Sequence, residues 1–200
     1  MVGVTSSNLV GRTILLPPAE VSLAMKQKAL IIFSGLPGSG KSTLASRLAS
    51  YLEATYLRID TIEQGLKDLC GLSQIDGMGY RLSYRIAQEN LLIGNTVIAD
   101  SVNPWNLTRT EWNNVALEIG AQYLNIEITC SDKTEHQGRL EKRTETIPGL
   151  KNPTWKEVIE RDYHPWTMER IQLDTARKTI EEAFQELIKL IPSSYFGQRK

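Results

Sequence analysis

The chain has 200 residues, 41% hydrophobic and 23% charged, with 14 Gly and 8 Pro, which suffices for one packed core and excludes a disordered, collagen-like or disulfide-framework protein. Lys and Arg total 23, as do Asp and Glu, so the formal charge is zero; this argues against a nucleic acid or anionic membrane held by bulk charge, but not against a local anion site. Only Cys70 and Cys130, with the distant His136 and His164, are available for disulfide or zinc chemistry, which points to a reducing, cytoplasmic setting without structural zinc.

Residues 1–24 carry neither helical period nor strand alternation and read as a loose arm before a single domain over 25–196. Ala29 to Phe33 is a buried-strand run. A helix follows from Lys41 to Leu52, with Leu44, Leu48 and Leu52 on one stripe. Ala54 to Ile59 is a second strand, residues 78–93 a helix stopped by Gly94, and Thr96 to Ala99 a third strand. Thr108 and Glu111 form a capping-box pattern ahead of a helix carrying Trp112, Val115 and Ile119, and Tyr123 to Cys130 is another strand. Residues 131–168 read as an exposed excursion: a polar helix to Arg143, a Pro-bounded loop, and a short helix opened by Thr154 and Glu157. Arg170 to Leu173 is a short last strand, and the closing helix places Ile180, Phe184, Leu187 and Ile191 behind a Thr179/Glu182 cap. Apolar runs alternating with helical patterns predict α/β architecture around a parallel sheet.

Gly35-Leu36-Pro37-Gly38-Ser39-Gly40-Lys41-Ser42, followed by Thr43, matches G-x-x-x-x-G-K-[ST] between the first strand and the first helix. Glycines let consecutive N–H groups turn inward on phosphate oxygens, and the helix N-terminus adds partial positive charge. Lys41 then reaches the β- and γ-phosphates of ATP, and the Ser42 hydroxyl is placed for Mg²⁺. Asp100, after the third strand, is the carboxylate for the metal; the plainer alternative is a turn aspartate. Asp60, after the second strand, is placed as general base toward an acceptor hydroxyl, or as a helix N-cap. Arg139 and Arg143, four apart on one helix face, are expected to stabilise the transferring phosphoryl group from a lid; the alternative is a solvated face among Asp132, Glu135 and Glu141.

On Gly35 to Thr43, Arg58-Ile59-Asp60, Val97 to Pro104 and the arginine pair, the chain resembles small P-loop kinases such as polynucleotide kinase, gluconate kinase, adenylylsulfate kinase and chloramphenicol phosphotransferase. The resemblance covers most of residues 29–191. It implies a three-layer P-loop NTPase fold with a five-stranded parallel sheet of order 2-3-1-4-5 and a helical lid. It further implies Asp60 as acceptor base and adenine seated by a lid arginine and Thr175-Ala176-Arg177.

Many members with phosphate-bearing substrates have arginine three residues after the base, where this chain has Glu63. With zero net charge, that acid favours a neutral or amine-bearing small alcohol over a polynucleotide. Tyr80, Tyr84, Arg85, Asn103, Trp105, Arg109 and Trp155 are expected to supply the acceptor pocket; the alternative for each is packing. His136 and His164 read as hydrogen-bonded or solvated. The expected function is ATP-dependent transfer to a small-molecule hydroxyl, against a nucleoside or polynucleotide 5′-hydroxyl kinase or a non-catalytic ATP-binding module.

Overall fold

β1 (Ala29–Ser34) is unbrokenly apolar through Phe33 because both its faces are covered. Ile31 and Phe33 join Leu44 and Leu48 of α1 (Lys41–Leu52) and Phe184 and Leu187 of α7 (Ile180–Leu190). On the opposite face, Leu30 and Ile32 meet Ala87 and Leu91 of α3 (Met78–Leu92) and Trp112 and Val115 of α4 (Asn106–Leu117). Each fully covered Ile or Leu contributes about 1.5–3 kcal/mol, so the two cores clamp β1 centrally. The computed structural model describes residues 29–72, 74–144 and 146–196; the expected arm over 1–24 lies outside them.

β2 (Thr55–Arg58), β3 (Val97–Asp100), β4 (Gln122–Thr129) and β5 (Ile171–Asp174) complete an all-parallel sheet of order β2-β3-β1-β4-β5, as the resemblance implied. In parallel α/β sheets the ligand crevice lies beyond the carboxyl ends of the strands. Ser34, Arg58, Asp100 and Thr129 all end there. No described helix is long and apolar enough to cross a membrane.

Three local expectations change. α2 (Ile59–Cys70) starts directly after β2, so Asp60 sits in its first turn; the N-cap is Arg58, not Asp60. α4 starts at Asn106, and Thr108 donates to Trp105 O (3.0 Å) instead of capping; the first helical N–H, of Asn106, reaches His164 Nδ1 at 3.3 Å. That cap comes from 58 residues away, where no local pattern could show it. α5 (Lys133–Glu141) ends before Arg143, as the N–H groups of Lys142 and Arg143 turn back to Gly138 O and Leu140 O. The other caps form as expected: Thr154 with Glu157 at α6 (Trp155–Ile159), and Thr179 with Glu182 at α7.

Candidate active site

Gly35, Gly38 and Gly40 have φ of 144°, 87° and 91°, values that side-chain-bearing residues rarely adopt, and together they curl the chain between β1 and α1 into a cradle. Gly35 is the most constrained: an added Cβ would stand 2.2 Å from the Ile128 carbonyl oxygen of β4. The loop is cross-braced by Gly35 N–H donating to Val102 O (3.2 Å) and Ser39 N–H to Leu36 O (3.2 Å). The Ser39 hydroxyl is buried without a hydrogen-bond partner among the described residues.

Behind the cradle, Lys41 is nearly buried and its ammonium donates to Asp100 Oδ1 (2.5 Å) and Ser42 Oγ (3.3 Å). Asp100 lies two residues after Ile98 on the same face of β3 and thus points to the α1 side, where the Tyr56 hydroxyl donates to its Oδ2 (2.7 Å). Burial opposes ionisation of Asp100, but Lys41 and the Tyr56 and Ser42 hydroxyls outweigh it and hold the carboxyl below its usual range. Burial and the Asp100 charge push the Tyr56 phenol far above its usual range, so it stays a donor. Ser42 and Asp100 offer hard oxygens, which fit Mg²⁺. Among the described residues no group of three or more His, Cys, Asp or Glu could hold a metal, and Mg²⁺ is a cation commonly held by one or two protein oxygens plus phosphates.

α5 is bolted onto this cradle. His136 is buried, and its Nε2 lies 2.8 Å from Pro37 O; a carbonyl only accepts, so that nitrogen carries the proton. The helix lies so close that a Cβ on Gly38 would meet His136 Cδ2 at 3.1 Å and Leu140 Cβ at 3.2 Å. Arg139 donates to Thr175 Oγ1 (2.8 Å) and O (2.9 Å), to Glu135 (2.6 Å), while the Thr175 hydroxyl reaches Ser39 O at 2.8 Å. The structure thus joins Arg139 to the Thr175 turn. Arg143 lies beyond the helix end, yet it lines the same cavity as Arg139, and its guanidinium has no hydrogen-bond or ion-pair partner among the described residues.

A single cavity of about 790 Å³ connects these parts. Its lining includes Gly38, Gly40 and Lys41 to Thr43 of the cradle, Thr175 and Lys178 of the turn after β5, Asp60 and Glu63 of α2, and Leu150 to Pro153 of the excursion. Burial and the charge of Asp60 push the Glu63 carboxyl up. Glu63 is not alone, however. Arg58, Lys151 and Arg161 line the same cavity, so the charge argument from Glu63 alone does not carry to the acceptor end. These cations went unflagged because each lies on a different segment, with no spacing to join them. Arg58 has a side chain only 13% exposed, donates to Thr146 Oγ1 (2.8 Å) and lies 3.8 Å from Asp60 Oδ2.

Other expected acceptor residues lie elsewhere. Arg109 is fully buried, donates to the carbonyls of Asn103, Pro104 and His164 (each 3.0 Å), and lies over Trp166 at 4.0 Å. It clamps the return of the excursion onto the segment after β3. Asn103 is buried with φ of 50° and donates to Ser34 Oγ (3.0 Å). Arg85 is exposed on α3, outside the cavity lining. Tyr84 packs edge-on against Trp112, Tyr80 accepts from Asn103 N–H (3.2 Å), Trp105 donates to Asp162 (3.0 Å), and Trp155 packs edge-on against His136.

Residues 30–161 match the family described as AAA domain. A protein of Aeropyrum pernix named "Probable adenylyl-sulfate kinase" is 27% identical over 82% of this chain and 93% of its own length. The fold is shared with the Mycobacterium tuberculosis APS kinase CysC in complex with AMPPNP and APS (TM-score 0.59, 21% identity, 82% of this chain and 97% of that one). It is shared too with a gluconokinase of Sinorhizobium meliloti (TM-score 0.58, 17% identity, 82% and 91%) and with Chaetomium thermophilum Kti12 in complex with ADP-AlF3 (TM-score 0.58, 20% identity, 82% and 100%). With the family model spanning 30–161, over half of the chain, and the cradle and sheet order in place, the chain belongs to the AAA domain family and is similar to small P-loop kinases.

Proposed function

We propose that the protein is an ATP-dependent kinase that transfers the γ-phosphate to a hydroxyl of a small molecule, with Asp60 as general base. The observation that carries this reading is that Lys41, Ser42 and Asp60 line one cavity, so donor phosphates and an acceptor hydroxyl can meet there without crossing bulk water. The cradle N–H groups and Lys41 bind the phosphates, while Arg139 and the Thr175 turn border the adenine. Arg143, which lines the cavity with no side-chain partner among the described residues, is the cation for the transferring group. Asp60 accepts the proton as the acceptor oxygen bonds to phosphorus, and the bond to the β–γ bridging oxygen breaks to release ADP. Ser42 and Asp100 would hold Mg²⁺, which when bound neutralises charge on the phosphates.

The test is transfer of labelled phosphate from ATP to a panel of neutral, amine-bearing and anionic alcohols and to 5′-hydroxyl oligonucleotides. Asp60→Asn is expected to lower transfer by roughly 10²- to 10⁴-fold and leave AMPPNP affinity intact. Unchanged transfer removes Asp60 from the mechanism. Arg58, Lys151 and Arg161 favour, as the second reading, a nucleoside or polynucleotide 5′-hydroxyl acceptor; phosphorylation of oligonucleotides and of no small alcohol would establish it. No labelled product in any arm, with AMPPNP bound, would instead indicate a nucleotide-dependent binding module.

A further inference from the structure

Besides the nearby Ser42 hydroxyl, Asp100 has two close partners of different kind. Lys41 brings a positive charge to Oδ1, and Tyr56 brings a neutral hydroxyl to Oδ2. Lys41 cannot serve both the carboxylate and the phosphates: in a phosphate cradle its ammonium is drawn to the β- and γ-oxygens. Once it leaves, a carboxylate whose side chain has no exposed surface keeps Tyr56 on its far oxygen, besides the Ser42 hydroxyl, which the same reading turns to the cation. A buried carboxylate without hydrogen bonds is strongly disfavoured, and one free to rotate cannot present a fixed oxygen to a cation.

We propose that Tyr56 is a positioning residue for the metal-side carboxylate, holding Asp100 by Oδ2 so that Oδ1 faces the cation site when Lys41 turns to the nucleotide. The inference rests on Asp100 being the carboxylate toward Mg²⁺. The chemistry suits the task. A second cation at Oδ2 would orient the carboxylate but cancel the charge that attracts the metal, whereas a phenol orients it and leaves that charge in place. The scaffold suits it too. Tyr56 is on β2, its ring packs against the α1-side core, which fixes the ring, and the residue also lines the cavity. The register sets Tyr56 beside Ile98, two residues before Asp100 on the same face of β3, within reach of a tyrosine but not of a shorter side chain.

The experiment measures AMPPNP binding to the full chain by calorimetry in EDTA and in Mg²⁺, followed by Mg²⁺ titration at fixed AMPPNP. Tyr56→Phe keeps the packed ring and removes one oxygen. Its affinity in EDTA should stay within about twofold, while the Mg²⁺ concentration at half-saturation rises about tenfold, the usual scale for losing a partner of a metal ligand. Asp100→Asn is expected to abolish the Mg²⁺-dependent gain. If Asp100→Asn abolishes it and Tyr56→Phe leaves half-saturation unchanged, the Tyr56 proposal falls while the reading of Asp100 stands. If Asp100→Asn leaves it intact, that reading falls and takes Tyr56 with it. Equal loss of affinity in EDTA and Mg²⁺ for Tyr56→Phe would make the residue cavity wall only and overturn the proposal.

Discussion

The parts of the cavity proposed above as its donor and acceptor ends are built by different means. The donor end is made of backbone: a loop curled by three positive-φ glycines, closed by its own N–H groups and bolted by His136 and Thr175 to the carbonyls of Pro37 and Ser39. The acceptor end is made of side chains that meet across distant segments, as Arg58 meets Thr146 and Glu63 lies over Gly79. Backbone geometry can bind a triphosphate that does not vary, while side chains on loops can change without disturbing the cradle. Glycine substitution at the two ends gives the sharpest contrast. Gly35→Ala drives a Cβ to 2.2 Å from a backbone carbonyl in the central sheet, where neither side can yield, and is expected to cost about 3–5 kcal/mol or prevent folding. Gly149→Ala also places alanine at positive φ (80°), but its nearest neighbour, at 3.0 Å, is the amide tip of Gln64; the expected cost is about 1–2 kcal/mol of conformational strain. Urea unfolding of both variants checks this, and equal losses would break the comparison.

The next effect concerns the bolt. His136→Ala removes the buried hydrogen bond to Pro37 O and the ring beneath Gly38, and should cost about 1–3 kcal/mol in stability. Because the bond holds the cradle itself, AMPPNP affinity should fall too, by about fivefold or more, since each 1.4 kcal/mol is a factor of ten. Lost stability with full AMPPNP affinity would show that the cradle holds its shape without α5, and that backbone alone suffices at the donor end.

The two ends also differ in how far sequence revealed them. The cradle was legible because its eight residues are contiguous and the four that the motif fixes, Gly35, Gly40, Lys41 and Ser42, each have a steric or electrostatic reason to be there. Strand positions were legible to within a residue, since burial on both faces leaves continuous apolar runs such as Leu30 to Phe33. His136 read only as a bonded or solvated side chain, because nothing local announces that its helix will lie against Pro37, 99 residues earlier. Arg109 looked like a pocket residue for a related reason: a buried arginine satisfied by main-chain carbonyls has no sequence signature, and its partners at 164 and 165 come from the far end of the excursion. Asp60 was found by position, whereas its neighbour Arg58 and the cations at 151 and 161 are assembled only by tertiary structure.

The smallest effect belongs to the acceptor end. Thr146 hangs from Arg58 by one hydrogen bond, and Ile147, next in sequence, is buried at 7% exposure, so two contacts dock this segment at the end of β2. Thr146→Val removes the first and keeps the second. One partly exposed hydrogen bond is worth about 0.5–1 kcal/mol, so the undocked population and the rate of trypsin cleavage after Arg143 or Lys151 should rise about two- to fivefold when opening is fast relative to cleavage. AMPPNP affinity should not move, because no atom of Thr146 braces the cradle. Thr146→Ser, which restores the hydroxyl, should return the cleavage rate to that of the parent. If Thr146→Val instead lowers nucleotide affinity as far as His136→Ala does, the two ends are one mechanical unit, and the division between a fixed donor cradle and an adaptable acceptor wall does not describe this protein.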